Sequence, residues 1–148
     1  MLKKGDKAPD FAGRDQDGKE IKLSHFKGSK LVLYFYPKDN TPGCTAEACD
    51  LRDNYHKFES IGYKIVGVSK DNEKSHKGFI EKFSLPFPLI SDTETTILKA
   101  YEAWGRKKFM GREYDGIFRR TFVIDENGII LNIIDKVDTK AHSKQILG

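Results

Sequence analysis

The sequence predicts an α/β layered fold, a central mixed β-sheet flanked by helices, with an N-terminal β-hairpin extension. Three observations carry this. Leu31 to Tyr36 and Ile65 to Ser69 are continuous apolar, β-favouring runs, as expected of strands covered on both faces. A stretch with helical spacing follows each of them. Near the end, two further apolar runs flank Glu126-Asn127-Gly128, a hairpin signal.

In chain order, Asp15-Gln16-Asp17-Gly18 is a turn signal between Phe11 and the alternating Glu20-Ile21-Lys22-Leu23, which together predict a hairpin. Ser24 is expected to cap a short helical turn ending near Gly28. After the strand Leu31 to Tyr36 comes Pro37-Lys38-Asp39-Asn40-Thr41-Pro42-Gly43, a loop rich in helix and strand breakers. A helix is expected from near Cys44, with Ala48, Leu51, Tyr55 and Phe58 on one face and Gly62 at its end. Ser69 to Asp71 opens the next helix, Asn72 to Phe83. Leu85 to Ile90 is extended, because Pro86 and Pro88 keep their predecessors out of helix. Ser91-Asp92 is expected to cap a helix running to about Trp104, and Gly105 to Gly116 reads as a loop. Thr121 to Asp125 and Ile129 to Ile134 form the closing hairpin, and a short helix covers Ala141 to Leu147. The thioredoxin-like fold fits this order of strands and helices.

The bulk properties narrow the function. One domain covering residues 1–148 is long enough to bury a core without disulfide staples. Apolar residues make up 38% and charged residues 32%, a globular balance, and no apolar stretch is long enough to span a bilayer. The net charge of +4 is interleaved along the chain and does not demand nucleic acid. The densest basic cluster, Arg106, Lys107, Lys108 and Arg112, is either a solvated loop or a patch that steers anionic or protein partners. The absence of an apolar export segment at the N-terminus and the use of only two cysteines lead to an expectation of a cytoplasmic location.

Those cysteines, Cys44 and Cys49, carry the chemistry. Cys44 follows Pro42-Gly43 at a helix start, where free backbone N–H groups and the positive end of the helix dipole favour a thiolate, the nucleophilic form of cysteine. Thr41, three residues earlier, can aim its hydroxyl at the same sulfur. Cys49 lies five residues along the helix. On an ideal helix the two Cα atoms are about 8.6 Å apart and rotated by about 140°. A disulfide tolerates at most about 7 Å. If the two bond, the first turns must unwind, and the resulting disulfide is strained and easily reduced. Two other readings of the pair stand beside this one. The cysteines are unrelated apolar fillers, or they ligate a metal. Structural zinc wants four ligands at short spacings, whereas His25, His56, His76 and His142 are scattered. A C-x-x-C motif is absent, which counts against general disulfide exchange.

The residues Pro37, Thr41 and Cys44 stand as P-x-x-x-T-x-x-C, the active-site pattern of the peroxiredoxins. The fuller string from Tyr36 to Cys49 resembles the subfamily called bacterioferritin comigratory protein or peroxiredoxin Q, in which the resolving cysteine often lies five positions after the peroxidatic one. The resemblance continues through Trp104-Gly105, Phe109-Met110-Gly111 and Tyr114-Asp115-Gly116-Ile117, and ends in Arg119-Arg120-Thr121-Phe122-Val123-Ile124-Asp125. The family's active-site arginine precedes the phenylalanine of this strand by three residues, which selects Arg119 over Arg120. The sequence stops at Gly148, where relatives usually continue somewhat further.

The resemblance implies an antioxidant thiol peroxidase that reduces hydrogen peroxide and organic hydroperoxides. Cys44 attacks the peroxide and becomes a sulfenic acid, and Cys49 closes an intramolecular Cys44–Cys49 disulfide, which a thioredoxin-like dithiol reductant reopens. The sulfur of Cys44 is expected to be ionised and reachable. Arg119 is expected to hold the thiolate and the developing oxyanion. Thr41 is expected to hydrogen-bond the sulfur or the peroxide, the N–H groups of Gly43 and Cys44 to bind peroxide oxygens, Pro37 to shield the sulfur and Glu47 to fix Arg119. Trp104, Phe109 and Met110 either pack as plain loop residues or line the rim of the site. No cofactor and no metal is implied, since sulfur is the redox centre. The expected partners are the hydroperoxide and the dithiol reductant, with no nucleic acid and no membrane, and the chain is expected to be a monomer or weak homodimer. Two other functions compete. One is a thiol exchanger acting on partner proteins, for which Arg119 and Thr41 would be superfluous; the other is a binding module that inherited the fold.

Overall fold

A computed structural model describes residues 1–148. Its centre is β3 (Lys30–Phe35), whose side chains alternate between two buried faces. Leu31, Leu33 and Phe35 enter one apolar cluster, while Val32, Tyr34 and the following Tyr36 enter the other. This is why the sequence shows an unbroken apolar run rather than an alternation.

β3 pairs in parallel with β4 (Tyr63–Ser69) and antiparallel with β8 (Arg120–Ile124). β5 (Leu89–Ser91) continues the sheet beyond β4 in parallel, and β9 (Ile130–Ile134) continues it beyond β8 antiparallel. The N-terminal hairpin of β1 (Ala12–Arg14) and β2 (Glu20–Lys22) joins the outer edge of β5. The seven-stranded order is β2-β1-β5-β4-β3-β8-β9, the mixed sheet that was expected.

Helices cover both faces. Against Val32, Tyr34 and Tyr36 pack α1 (Pro42–Asp53), α2 (Tyr55–Ser60), α3 (Glu73–Phe83) and α5 (His142–Leu147), through Cys44, Ala48, Leu51, Phe58, Phe79 and Ile146. Against Leu31, Leu33 and Phe35 pack α4 (Thr96–Ala100), through Ile97 and Leu98, and the 3-10 turn Leu23–Phe26. Cys44 lies at the third position of α1, directly after the loop leaving the central strand.

Several elements depart from expectation. The helix read as running past Cys44 to Gly62 breaks at Asn54, whose side-chain amide donates to the carbonyl of Asp50 at 2.9 Å. The 3-10 turn starts at Leu23, so Ser24 sits inside it rather than capping it. The cap of α3 is Asn72, whose Oδ1 accepts from Ser75 N at 2.8 Å. α4 stops at Ala100 instead of reaching Trp104. Glu102 takes a left-handed conformation, φ 59°, and Ala103 N donates back to Leu98 O while Glu102 N donates to Lys99 O. That is a Schellman termination with a glutamate where glycine is usual, so no glycine marked it.

The segment read as a loop, Gly105 to Gly116, is a two-stranded hairpin of β6 (Trp104–Phe109) and β7 (Arg112–Ile117). Its turn residues Met110 and Gly111 both have positive φ, 51° and 80°, the geometry of a type I′ turn. Most of its residues are exposed on both sides, which removed the alternation that would have betrayed the strands. Phe109 and Met110 project into solvent at its tip, and Trp104 packs against the cluster on the face opposite Cys44. Of the two readings of these residues, the exposure of Phe109 and Met110 and the packing of Trp104 favour plain packing over a rim around the sulfur.

Candidate active site

The loop from Pro37 to Thr41 leaves the end of β3 and is tied down from beneath. Asp39 is buried and accepts from Tyr36 Oη at 2.6 Å and Ser75 Oγ at 2.8 Å, and faces His76 Nδ1 at 2.8 Å. His76 Nε2 lies 3.0 Å from the carbonyl of Ile90, so this nitrogen carries a hydrogen and donates it. Asp39 N donates to Asp71 Oδ2, which also accepts from Ser69 Oγ. Asp39, Asp71 and His76 thus converge within 4.8 Å, although the histidines looked scattered in sequence. Their facing atoms are already engaged by protein groups, so the cluster serves as a clamp on the loop.

Above this clamp, Asn40 has φ 62°, which turns the chain into α1. The Thr41 carbonyl accepts from Thr45 N, and Pro42 is the first helical residue. No protein group accepts from the N–H of Gly43 or Cys44. These are two of the donors a helix start leaves open. Thr41 Oγ1 donates to the carbonyl of Lys38 at 2.8 Å, not to the sulfur. With its hydrogen committed there, the hydroxyl oxygen is left as an acceptor.

Cys44 is 1% exposed, so the expected open approach to the sulfur is closed over in this arrangement. It is not an apolar burial. Arg119 Nη2 donates to Cys44 Sγ at 3.3 Å, and Arg119 Nη1 donates to Glu47 Oε1 at 2.8 Å. Burial alone would weaken the guanidinium's hold on its proton, but the sulfur and the carboxylate outweigh it and raise its affinity. The neighbouring Arg120 points elsewhere, with Nη1 donating to Glu102 O and Nε pairing with Asp135. Gly43 sits against the same guanidinium: a Cβ there would lie 3.2 Å from Arg119 Nη2.

Glu47 is fully enclosed, and burial pushes its carboxyl up to about 7, against the pull of Arg119 and with a further push from Asp50. Its Oε2 has no hydrogen-bond partner. His142 Nε2 of α5 lies 3.5 Å from that oxygen and 2.7 Å from Thr121 Oγ1. Tyr34 Oη is likewise buried without a partner, and burial, followed by the charges of Glu47 and Cys44, makes it harder to ionise. Pro37 is half-buried beside the loop. Cys49 is half-buried within the same unbroken helix as Cys44, and both thiols are free.

Cys44, Thr41, Gly43, Glu47 and Arg119 are therefore brought together, or placed within one loop and turn of each other. Cys49 stands apart by the helix geometry. Asp39, His76, Thr121 and His142 were not singled out in sequence. Asp39 and Thr121 lie within the two strings that carry the family resemblance but were given no role, and His76 and His142 come from distant elements with no motif around them.

Residues 4–133 match the model of the AhpC/TSA family. The chain is 46% identical over 143 residues to peroxiredoxin Bcp of Bacillus subtilis, covering 97% of this chain and 91% of that protein. It is 42% identical over 146 residues to peroxiredoxin Bcp of Escherichia coli K12, covering 99% and 94%. Among solved structures, a mutant of Xylella fastidiosa PrxQ superposes with a TM-score of 0.93 at 32% identity, covering 99% of this chain and 94% of that one. The bacterioferritin comigratory protein of Xanthomonas campestris, described for its alkyl peroxide reduction activity, gives 0.87 at 35% identity, covering 93% and 87%.

Proposed function

The chain belongs to the AhpC/TSA family and is a thiol peroxidase, and on that premise we propose that Cys44 is its peroxidatic cysteine, Cys49 its resolving cysteine and Arg119 the group that stabilises the reacting charge. The observation that carries this reading is the 3.3 Å contact from Arg119 Nη2 to Cys44 Sγ. A permanently charged fork against a sulfur at a helix N-terminus favours the thiolate and stands where negative charge develops on the departing oxygen.

In the first step the Cys44 thiolate attacks the terminal oxygen of ROOH. The S–O bond forms as the O–O bond breaks, and the departing RO⁻ takes a proton to leave as ROH. Sulfur is oxidised to the sulfenic acid and the peroxide is reduced. The N–H groups of Gly43 and Cys44 offer donors to the peroxide oxygens, and Thr41 Oγ1 offers an acceptor for the peroxide hydrogen. Because Cys44 is covered, the oxidant has to displace part of that cover to reach the sulfur. Pro37 then limits water at the sulfur. Hydrogen peroxide and alkyl hydroperoxides are the proposed substrates, the latter by likeness to the Xanthomonas relative.

In the second step Cys49 attacks the Cys44 sulfenic acid, water leaves and the disulfide forms. Oxidation removes the charge that Arg119 was holding, so the contacts anchoring Cys44 weaken at the moment the helix has to open. Beyond Asp50 the helix is pinned to α5, through Ser143 N to Asp50 Oδ2 at 2.6 Å, so the unwinding is confined to the first turns. A thioredoxin-like dithiol protein restores both thiols. A cytoplasmic location and a monomer or weak homodimer complete the proposal. No helix of the chain is long and apolar enough to cross a membrane.

The test is a thiol titration after one equivalent of hydrogen peroxide. The parent loses both thiols together and rapidly. Cys44→Ser keeps its remaining thiol and shows no turnover with thioredoxin, thioredoxin reductase and NADPH. Cys49→Ser reduces one peroxide per chain and then stops. Full turnover in Cys44→Ser would falsify the assignment.

A further inference from the structure

Beside Arg119, where α1 meets α5, lies a buried polar contact that the peroxide chemistry above does not use. Glu47 Oε2 is buried there without a hydrogen-bond partner. Buried carboxylate oxygens are rarely left so. Facing it is His142 Nε2, at 3.5 Å, and both side chains are fully enclosed.

The hydrogen on the far side of the His142 ring is assigned by its surroundings. Gln145 Nε2 donates to Lys136 O at 2.9 Å, and Asp138 N donates to Gln145 Oε1 at 2.9 Å, which identifies Oε1 as the acceptor end of that amide. His142 Nδ1 lies 2.8 Å from the same Oε1, so Nδ1 carries a hydrogen. The Nε2 facing Glu47 is then free to be bare, accepting from Thr121 Oγ1, or protonated, donating toward Glu47 and Thr121. A bare Nε2 opposite an ionised Glu47 would set two lone pairs against each other. One proton between them removes that conflict, on either partner.

The charge count points the same way. With Cys44 as thiolate, the enclosed cluster holds the negative sulfur, the positive Arg119 and a carboxylate. One added proton on the Glu47–His142 pair makes it neutral. Burial raises Glu47 to about 7 and lowers His142, so each partner resists its charged form and a single proton suits both. The other groups facing the pair are Tyr34 from β3, Cys44 and Asp50 from α1, Arg119 from before β8, and Asp138 from the segment after β9.

We propose that His142 is a positioning residue for the reaction at Cys44, acting through Glu47: the pair holds one proton beside Arg119, which leaves the guanidinium turned to the sulfur, and loss of that proton makes Glu47 a competitor for the same charge. This rests on Cys44 being the peroxidatic cysteine.

The consequence is a second ionisation in the peroxide reaction. The single-turnover rate constant with hydrogen peroxide, measured from pH 5 to 9 on reduced protein, rises with thiolate formation and then falls off as the pair deprotonates. Glu47→Gln keeps an acceptor for Arg119 but cannot ionise, and its profile shows one ionisation only. His142→Gln offers a fixed amide to Glu47 and moves the second break to lower pH by about one unit, a tenfold change in that equilibrium. A uniform fall in rate at every pH in His142→Gln, or a second break surviving in Glu47→Gln, overturns the proposal. Should His142→Gln fail to fold, the parent and Cys44→Ser decide. The ¹³C carboxyl signal of Glu47 titrates near pH 7 in the reduced protein and at lower pH in Cys44→Ser, where no thiolate opposes its ionisation. An unmoved midpoint overturns the proposal. If instead Cys44 is not the peroxidatic residue, the parent shows no peroxide-dependent thiol loss, a different failure from a parent that reacts with a single-ionisation profile.

Discussion

Gly43 stands where a methyl group would meet Arg119 Nη2 at 3.2 Å, a contact tighter than Cβ atoms normally make. A flexible arginine usually swings aside, but this one is held at both ends, by Glu47 Oε1 and by Cys44 Sγ. Gly43→Ala is therefore expected to displace the fork by a few tenths of an ångström and to lower the single-turnover rate with hydrogen peroxide by about tenfold, since a misplaced oxyanion donor forfeits part of what it contributes. Stopped-flow oxidation checks this, with a thermal melt to show that stability is little changed; an unchanged rate would mean the guanidinium is not needed at its observed distance. At this scale the sequence was informative wherever chemistry is written locally. Thr41, Gly43, Cys44, Glu47 and Cys49 fall within nine positions, and Arg119 was selected by its offset from Phe122. The residues that went unrecognised make their contacts across long separations: His76 reaches Asp39 from 37 positions away, and His142 reaches Thr121 from 21. Nothing in the residues around a lone histidine says which carboxylate or hydroxyl it will meet.

Between β3 and α1, the loop that presents Cys44 is secured both to its own flank at Tyr36 and to α3. Asp39 is the joint: Tyr36 Oη, Ser75 Oγ and His76 Nδ1 all bear on its carboxylate. Asp39→Ala takes this partner from the buried Tyr36 and His76 and from the half-buried Ser75, and the cost is expected to be about 3 kcal/mol, the scale for breaking a buried pair from one side. In a domain of this size that lowers the melting temperature by about 10 °C. A shift below 2 °C would show that the clamp carries little stability. Elements with a strong period were legible from sequence, because both sheet faces are buried along β3 and β4 and because α3 has a capping asparagine. The misread elements failed for physical reasons. α4 ends on a left-handed glutamate that lacks glycine's signature, and β6 and β7 pair as an exposed ribbon whose charged side chains show no inside and outside.

At the scale of the whole molecule, the sheet order was not readable, because which strand lies beside which depends on burial summed over both faces. The same summed burial governs how stability responds to pH. Glu47 has an ordinary carboxyl value of 4.5 when the chain is unfolded and about 7 when enclosed in the fold. Between those values the folded chain keeps a proton that the unfolded chain has released. Stability from this group is thus complete below about 4.5 and is lost as pH rises through about 7. His142 has the opposite sign. Burial lowers its value in the fold, so its contribution is present above the unfolded value of 6.5 and declines as pH falls through the depressed folded one. Comparison with Glu47→Gln separates the two, since the variant keeps His142 and loses only the carboxyl. Thermal melts of the reduced proteins from pH 4 to 8.5 are expected to show the variant gaining on the parent between pH 5 and 7, levelling off above that, and running parallel to it below pH 4.5. Parallel curves throughout would mean that the Glu47 carboxyl titrates in the fold as it does in the unfolded chain, the pull of Arg119 offsetting its enclosure.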